Sequence, residues 1–416
     1  MPKSTSHSNR CRIKIATPTQ DTYPLKSRMT LGLIAAFVGG QANGQSVDPN
    51  LALNPNQQAV SQALYNCSDA YDNEGQPPLC NPDYFSSSLQ SLTPDQIFAM
   101  GTMVTRLNGG KITQPSDYSR LKRHNRYGGG AGDDDFSPLG FWSKIDSDFG
   151  SQDSTFTQAG FDFDQHNFVF GADYRLRDNW VAGGSFGYRH NSANFDQGRG
   201  ETVNDSYNGT LYTSYNITDA LHVEATAAYA GFSYETSRRI NVSGVGSSTA
   251  KGSPDGGQYA FSWGGGYDFN IDALTIAPYA RGEYMNLDID GYSETGSDFA
   301  VRFGKQNIES LTSTLGVQTA YTFSFPWGVL IPQLRGEWHH QFRDGQRQLQ
   351  ASFVGDATNQ VFTLGGETPT RDYYTFGAEV SSVLPGGISA FLAYETLQSY
   401  SSINSNKLML GARLEF

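Results

Sequence analysis

Lys407-Leu408-Met409-Leu410-Gly411-Ala412-Arg413-Leu414-Glu415-Phe416 alternates to the last residue. Leu408, Leu410, Ala412, Leu414 and Phe416 share one face; Lys407, Met409, Gly411, Arg413 and Glu415 share the other. A β-strand sends successive side chains to opposite faces, so this is a strand with one apolar face and one mixed, charged face. A strand that meets lipid on one side and a water-filled lumen on the other has this pattern, and transmembrane β-barrels are built from such strands. The plainer alternative is the final strand of a soluble sandwich.

Composition favours the barrel. The 416 residues include 46 Gly, 23 Tyr and 26 Phe, and only 17% are charged. Mean hydropathy is −0.47, too polar for a bundle of membrane helices. An alternating strand averages its lipid-facing and lumen-facing residues, so a barrel looks polar on any bulk scale. The net charge of −12, with no long Lys/Arg run, argues against nucleic acid as a partner.

The N-terminus reads as a targeting segment. Leu31–Gly40 is a short apolar run behind Lys26 and Arg28, with cleavage expected after Ala42 or Gly44. Its core falls short of the ~20 apolar residues that a membrane helix needs. Residues 1–44 are therefore assigned as a signal peptide, with Met29 as an alternative start. Cys11 falls in that part. Cys67 and Cys80 remain as a pair in an exported segment, where an oxidising compartment makes a disulfide the default. Two thiols without nearby His are too few ligands for a metal, and no metal or cofactor is expected.

Residues 45–110 form a small helical exported segment. Asn54, Pro55 and Asn56 open a helix with Ala59, Val60, Ala63 and Leu64 on its apolar side. A second helix is expected from Thr93 as N-cap and Pro94 at the first helical position, with Ile97, Met100, Met103, Val104 and Leu107 on its apolar face and Asn108-Gly109-Gly110 as its stop. So small a unit has little core of its own. It reads either as a structural spacer or as a surface ligand. Residues 111–137 are a linker: a basic stretch (Arg120, Lys122, Arg123, His124, Arg126), then Gly128-Gly129-Gly130-Ala131-Gly132, then Asp133-Asp134-Asp135. It is either solvated or threaded through a polar pore, and contiguous Asp do not match the spaced ligands of a calcium loop.

Residues 138–416 are strand after strand. Trp180–His190, Val203–Ile217, Leu221–Tyr229 and Leu330–Phe342 all alternate. Tight links such as Arg177-Asp178-Asn179 and Pro385-Gly386-Gly387 alternate with long polar ones such as Asn241–Gly257 and Asp344–Arg371. Short turns on one rim and long loops on the other make an all-β antiparallel barrel of about 12 strands, monomeric as a unit.

Several stretches, in this order, resemble the C-terminal translocator domain of classical autotransporters (type V secretion): Gly140-Phe141-Trp142-Ser143-Lys144; Phe170-Gly171-Ala172-Asp173-Tyr174; Ala277-Pro278-Tyr279-Ala280-Arg281-Gly282-Glu283-Tyr284; Ser313-Thr314-Leu315-Gly316-Val317; Ile331-Pro332-Gln333-Leu334-Arg335-Gly336-Glu337-Trp338; and Leu410 to Phe416. The terminal strand resembles the signal that sends barrels to the Gram-negative outer membrane. Asn56-Gln57-Gln58-Ala59-Val60-Ser61-Gln62-Ala63-Leu64 and the Cys pair resemble the region before some of these barrels. The resemblance implies outer-membrane lipid, periplasmic chaperones and the barrel-assembly machinery as partners, and an N-terminal passenger that crosses through or alongside the barrel. It also implies a helix plugging the lumen before the first strand. This chain departs in having no long repetitive passenger and a Gly-rich pre-barrel segment.

No enzymatic motif stands out. No Gly-Asp-Ser lies near the mature N-terminus, Ser143 and Ser147 have no obvious His/Asp set, and His339-His340 point to opposite faces of one strand. Trp263-Gly264-Gly265-Gly266 lacks the following helix of a phosphate loop. The candidate functional surface is the lumen. Arg281 and Glu283, and Arg335 and Glu337, recur in an Arg-Gly-Glu-aromatic pattern, each pair two apart and pointing inward. Two readings remain: a barrel that translocates or displays its own N-terminal segment, and a stand-alone structural or pore-forming barrel whose segment stays in the periplasm or lumen.

Overall fold

The computed structural model describes residues 53–70, 78–81, 88–105 and 138–415. The signal peptide, the linker with its basic and Asp runs, Leu107, the Asn108–Gly110 stop and Phe416 lie outside them.

The barrel strands are β1 (Leu139–Gln152), β2 (Phe161–Arg177), β3 (Trp180–Phe195), β4 (Gly200–Asn216), β5 (Leu221–Val242), β6 (Asp255–Tyr267), β7 (Leu274–Ile289), β8 (Gln306–Tyr321), β9 (Gly328–Gln341), β10 (Asp372–Leu384), β11 (Ile388–Gln398) and β12 (Ile403–Glu415). Each pairs antiparallel with its neighbour in sequence, and β1 pairs with β12 from Gly140↔Glu415 to Gln152↔Ile403. The twelve-strand cylinder is therefore closed, which leaves no strand edge in lipid. Both ends of the cylinder's chain, Leu139 and Glu415, sit on the rim with the short links: Asp178-Asn179 and Pro385-Gly386-Gly387, where both glycines take positive φ.

Burial alternates with the pleat. On β2, Phe161, Phe163, Gln165, Asn167, Val169, Gly171 and Asp173 are buried, while Asp162, Asp164, His166, Phe168 and Phe170 are exposed. The exposed side chains form an apolar outer wall that includes Phe141, Ile145, Phe168, Leu211, Leu334, Leu392, Leu408 and Leu410. The richness in Gly and aromatics has a packing cause. Trp142 lies opposite Gly171, Trp263 opposite Gly282, Tyr279 opposite Gly316 and Phe391 opposite Gly411. In each pair a Cβ on the glycine would come within 2.3–2.6 Å of the ring, so the ring lies flat across a bare backbone. Trp263–Tyr267 is the end of β6, and its glycines serve the sheet.

The long-loop rim carries structure of its own. The link between β9 and β10 contains two short strands, Gln348–Phe353 and Val361–Gly365, which join Tyr292–Ser293 and Val301–Phe303 in a four-stranded sheet. The link between β5 and β6 is mostly a hairpin extending β5 with Gly246–Gly252.

The N-terminal segment has little core of its own, as expected, and packs on the barrel. Helix α1 (Pro55–Asp69) starts as foreseen: Asn54 caps it, its side chain accepting from Gln57 N while Gln57 returns the bond. The second helix starts later than the Thr93-Pro94 signal suggests. Thr93 ends α2 (Leu89–Leu92), where its hydroxyl donates back to the Leu89 carbonyl at 2.7 Å, and the turn that follows has no side-chain cap. A single 3-10 turn, Asp95–Ile97, then leads into α3 (Phe98–Thr105). Cys67 and Cys80 are joined by a disulfide. These helices share one buried cluster with the long-loop rim. Val60, Leu64, Leu79, Leu92, Phe98 and Met100 pack with Tyr234, Ile240, Leu287, Ile289, Phe303, Phe353, Phe362 and Leu364. A core too small by itself is completed by the barrel. No described helix is long and apolar enough to cross a membrane.

Candidate functional site

The buried wall of the barrel carries a set of paired charges. Arg281 on β7 and Glu337 on β9 are buried and meet at 3.4 Å, and the Tyr279 hydroxyl donates to the same carboxylate at 2.6 Å. Between them runs β8, where Gly316 is the register partner of both Tyr279 and Glu337. The same construction recurs twice. Arg335, half-buried on β9, crosses Gly377 of β10 to an ion pair with Glu395 on β11. Arg413 on β12 crosses Gly140 of β1 and makes two 2.6 Å bonds to Asp173 on β2, with Nε donating to Glu415 at 2.8 Å. A glycine on the middle strand lets a long side chain reach the strand beyond. Arg281 and Arg335 thus each reach a carboxylate on another strand, a pairing that the sequence pattern does not show. Glu283 is buried and lines a polar cavity of about 410 Å³ with Thr312, Gln341, Arg343, Tyr373 and Tyr400.

A second group lies near the β1–β12 seam. Lys144 pairs with Asp146 at 3.2 Å and Lys407 with Asp148 at 3.3 Å; Asn167 donates to Asp146, and Ser405 to Asp148. Together with Arg413 it ties β12, β1 and β2 from inside. Sequence pattern offered Lys407 and Arg413 only as the polar face of the last strand. Their partners on β1 and β2 are set by register, which no local window contains. On the other face of β12, Leu408, Leu410 and Ala412 are exposed and Leu414 is half-buried.

The long-loop mouth is the other candidate. The buried Asn56 side chain clasps the backbone of Gly365: Nδ2 donates to its carbonyl at 2.9 Å and Oδ1 accepts from its N–H at 2.7 Å, while Nδ2 also donates to Thr157 O. Arg199, between β3 and β4, pairs with Asp95 at 2.8 Å and donates to the Gln90 and Thr93 carbonyls. Burial pushes the Asp95 carboxyl above its usual range, against the pull of Arg199. Ala99 and Met103 of α3 pack on the inward side chains Phe161, Phe163, Ala193 and Ile403. Gly101 is in contact range of Ile308 and Arg347, so closely that a Cβ there would lie 2.4 Å from Ile308 Cδ1. The segment thus touches the rim from several strands, both by apolar contact and by directed hydrogen bonds.

Catalytic geometry is thin. Ser147 and His166, opposite on β1 and β2, meet at 3.0 Å on the exposed outer wall. His339 is buried between Thr314 and Thr375, whereas His340 faces out toward Asp372. Among the described residues no group of His, Cys, Asp and Glu could hold a metal.

A family profile, the autotransporter beta-domain, matches residues 141–395. The chain belongs to the autotransporter family. The esterase EstA of Pseudomonas aeruginosa is 25% identical over 334 residues, which are 79% of this chain and 49% of EstA. An extracellular serine protease of Serratia marcescens is 27% identical over 236 residues, 56% of this chain and 22% of the protease. The chain thus spans about half the length of one relative and less of the other. The translocator domain of autotransporter NalP from Neisseria meningitidis superimposes with a TM-score of 0.53 at 14% identity, over 72% of this chain and 96% of that domain. The autotransporter barrel accordingly lies in the outer membrane of a Gram-negative bacterium, its apolar wall in lipid.

Proposed function

We propose that this autotransporter carries its own N-terminal segment across the outer membrane and keeps it, seated on the barrel's outer mouth. One observation carries the reading: α1, α2 and α3 are docked on the long-loop rim, opposite the rim where β1 begins. In outer-membrane barrels long loops face outward and short turns face the periplasm. The three helices then lie at the cell surface. Domain bounds of 45–110 for the displayed segment and 138–416 for the barrel follow, as does a lumen lined by Arg281, Glu283, Arg335 and Glu337 as the route. Assembly would use the terminal strand, with Leu408, Leu410, Ala412, Leu414 and Phe416 read by the barrel-assembly machinery after chaperone escort. The exported piece is a structural cap and not an enzyme.

Intact cells expressing the chain with an epitope next to Asp69 test this. The epitope should be stained on whole cells and removed by external protease without loss of the barrel. Staining only after the outer membrane is permeabilised would leave the stand-alone barrel with a periplasmic segment.

A further inference from the structure

Two places on the outer wall are built alike. On β3 and β4, Tyr188 Oη and His190 Nδ1 both meet Asp205 Oδ1, at 2.5 and 2.8 Å. On β9 and β10, Trp338 Nε1 and His340 Nδ1 both meet Asp372 Oδ1, at 3.1 and 2.8 Å. In each, one strand supplies aromatic-x-His and the next supplies Asp-x-Tyr: His190 lies opposite Asp205 and Tyr188 opposite Tyr207, while His340 lies opposite Asp372 and Trp338 opposite Tyr374. The two clasps are six strands apart in a ring of twelve, on opposite sides of the cylinder.

Their heights agree to within one outward residue. From Trp180 to His190 a strand runs about 33 Å, or about 25 Å along the barrel axis at a tilt near 40°. The same arithmetic from Gly328 to His340 gives about 30 Å. The first equals the ~25 Å apolar band of an outer-membrane barrel, and the second exceeds it by about 5 Å, the rise of one outward residue. Below the first clasp the wall shows Phe168, Phe170, Phe186, Tyr207 and Leu211; above it come Asp162, Asp164, Asn194 and Glu201. Below the second lie Leu315, Val317, Leu334 and Phe376. Phe342 sits edge-on against His340, with the Asp344–Arg371 ion pair beyond it in the chain.

We infer that the two clasps are lipid-interface anchors, a diametrically opposed pair that fixes the depth and tilt of the barrel at the outer-leaflet headgroup layer. The partner is the lipid surface itself. A carboxylate pulled below this level would lose its water, and a charge on the lipid face of a barrel is destabilising in a depth-dependent way. An aromatic ring lifted above it would lose its apolar surroundings. The clasp resists both displacements, because the carboxylate is bonded to the aromatic beneath it and to the imidazole beside it. With one clasp on each side, tilting sinks one and lifts the other.

The full chain in vesicles of phosphatidylcholine and phosphatidylglycerol, carrying single nitroxide labels, tests this. Labels at Asp164, His166, Phe168 and Phe170 on β2, and at Leu311, Ser313, Leu315 and Val317 on β8, report collision with oxygen or with a water-soluble nickel complex. The change from water-like to lipid-like should fall between 164 and 168 and between 311 and 315. With Asp205→Ala and Asp372→Ala together it should move by one outward residue toward the long loops, the barrel remaining heat-modifiable. Asp205→Ala alone should move it on β2 only. Should the double variant fail to assemble, Tyr188→Phe with Trp338→Phe keeps both carboxylates and should give a smaller shift in the same direction. A crossing two or more outward residues away from either clasp, or one unmoved in assembled variants, overturns the inference.

Discussion

Replacing Arg413 with Ala should be the most damaging single change to the closed barrel outside its main-chain pairing. The guanidinium is almost fully buried, lies over Gly140, and holds Asp173 by two short bonds and Glu415 by a third. Tyr212 and Trp142 extend the same network: Tyr212 Oη donates to Asp173 at 3.2 Å and accepts from Trp142 Nε1 at 2.6 Å. Truncation takes a cation away from two buried carboxylates. Breaking a buried pair by removing one partner costs about 3–5 kcal/mol, a factor between roughly 10² and 5 × 10³ in the folding equilibrium. Urea unfolding of the barrel in detergent, followed by tryptophan fluorescence and by heat-dependent gel mobility, reads this directly. The double variant Arg413→Met with Asp173→Asn removes both charges and should recover at least half of the loss. A single variant within about 1 kcal/mol of the parent would mean that this end of the barrel is wet and the pair screened, as surface pairs are. A double variant no better than the single would assign the loss to packing over Gly140.

Three further outcomes are expected. Asn56→Ala removes three hydrogen bonds to Gly365 and Thr157 and should loosen the cap, seen as faster proteolysis of residues 53–105 with an unchanged barrel. Cys67→Ser with Cys80→Ser should weaken the cap by roughly 3 kcal/mol, the chain-entropy figure for a loop of about 15 residues, without altering barrel heat-modifiability. Asp95 gives the docked cap a pH dependence. Its carboxyl is held above the usual range in the docked state, so its contribution is complete below the ordinary carboxylate range and is lost as pH rises through the raised value. Protection of the cap from protease should therefore fall with rising pH across that window, and Asp95→Asn should flatten the profile.

What the sequence made legible is what has a local period. Alternation in β9 and β12 identifies strands and a closed antiparallel barrel, because inside and outside differ at every residue. The cap of α1 is legible for the same reason: Asn54 and Gln57 are three apart. The docking of that helix is not. Asn56 meets Gly365 across 309 residues, and neither looks unusual alone. Ion-pair partners are hidden likewise. Arg335 also pairs with Glu395, 60 residues on, a contact set by register and by the bare backbone of Gly377. Thr93-Pro94 misleads because a threonine hydroxyl can bond backward as well as forward.

The seam between the first and last strands has a kinetic consequence. Ser405 and Asp148 touch across 257 residues, whereas β2 and β3 are joined by two. Closing so long a loop costs about 4 kcal/mol more chain entropy than a four-residue turn. Hairpins along the chain therefore form early and cheaply, and the ring shuts late, in the slowest and most non-local step. Until Ile403–Glu415 arrives, β1 and β11 each present a bare edge able to pair with any passing strand. The time spent in that open form, more than the stability of the finished ring, sets how much of the protein is lost to aggregation.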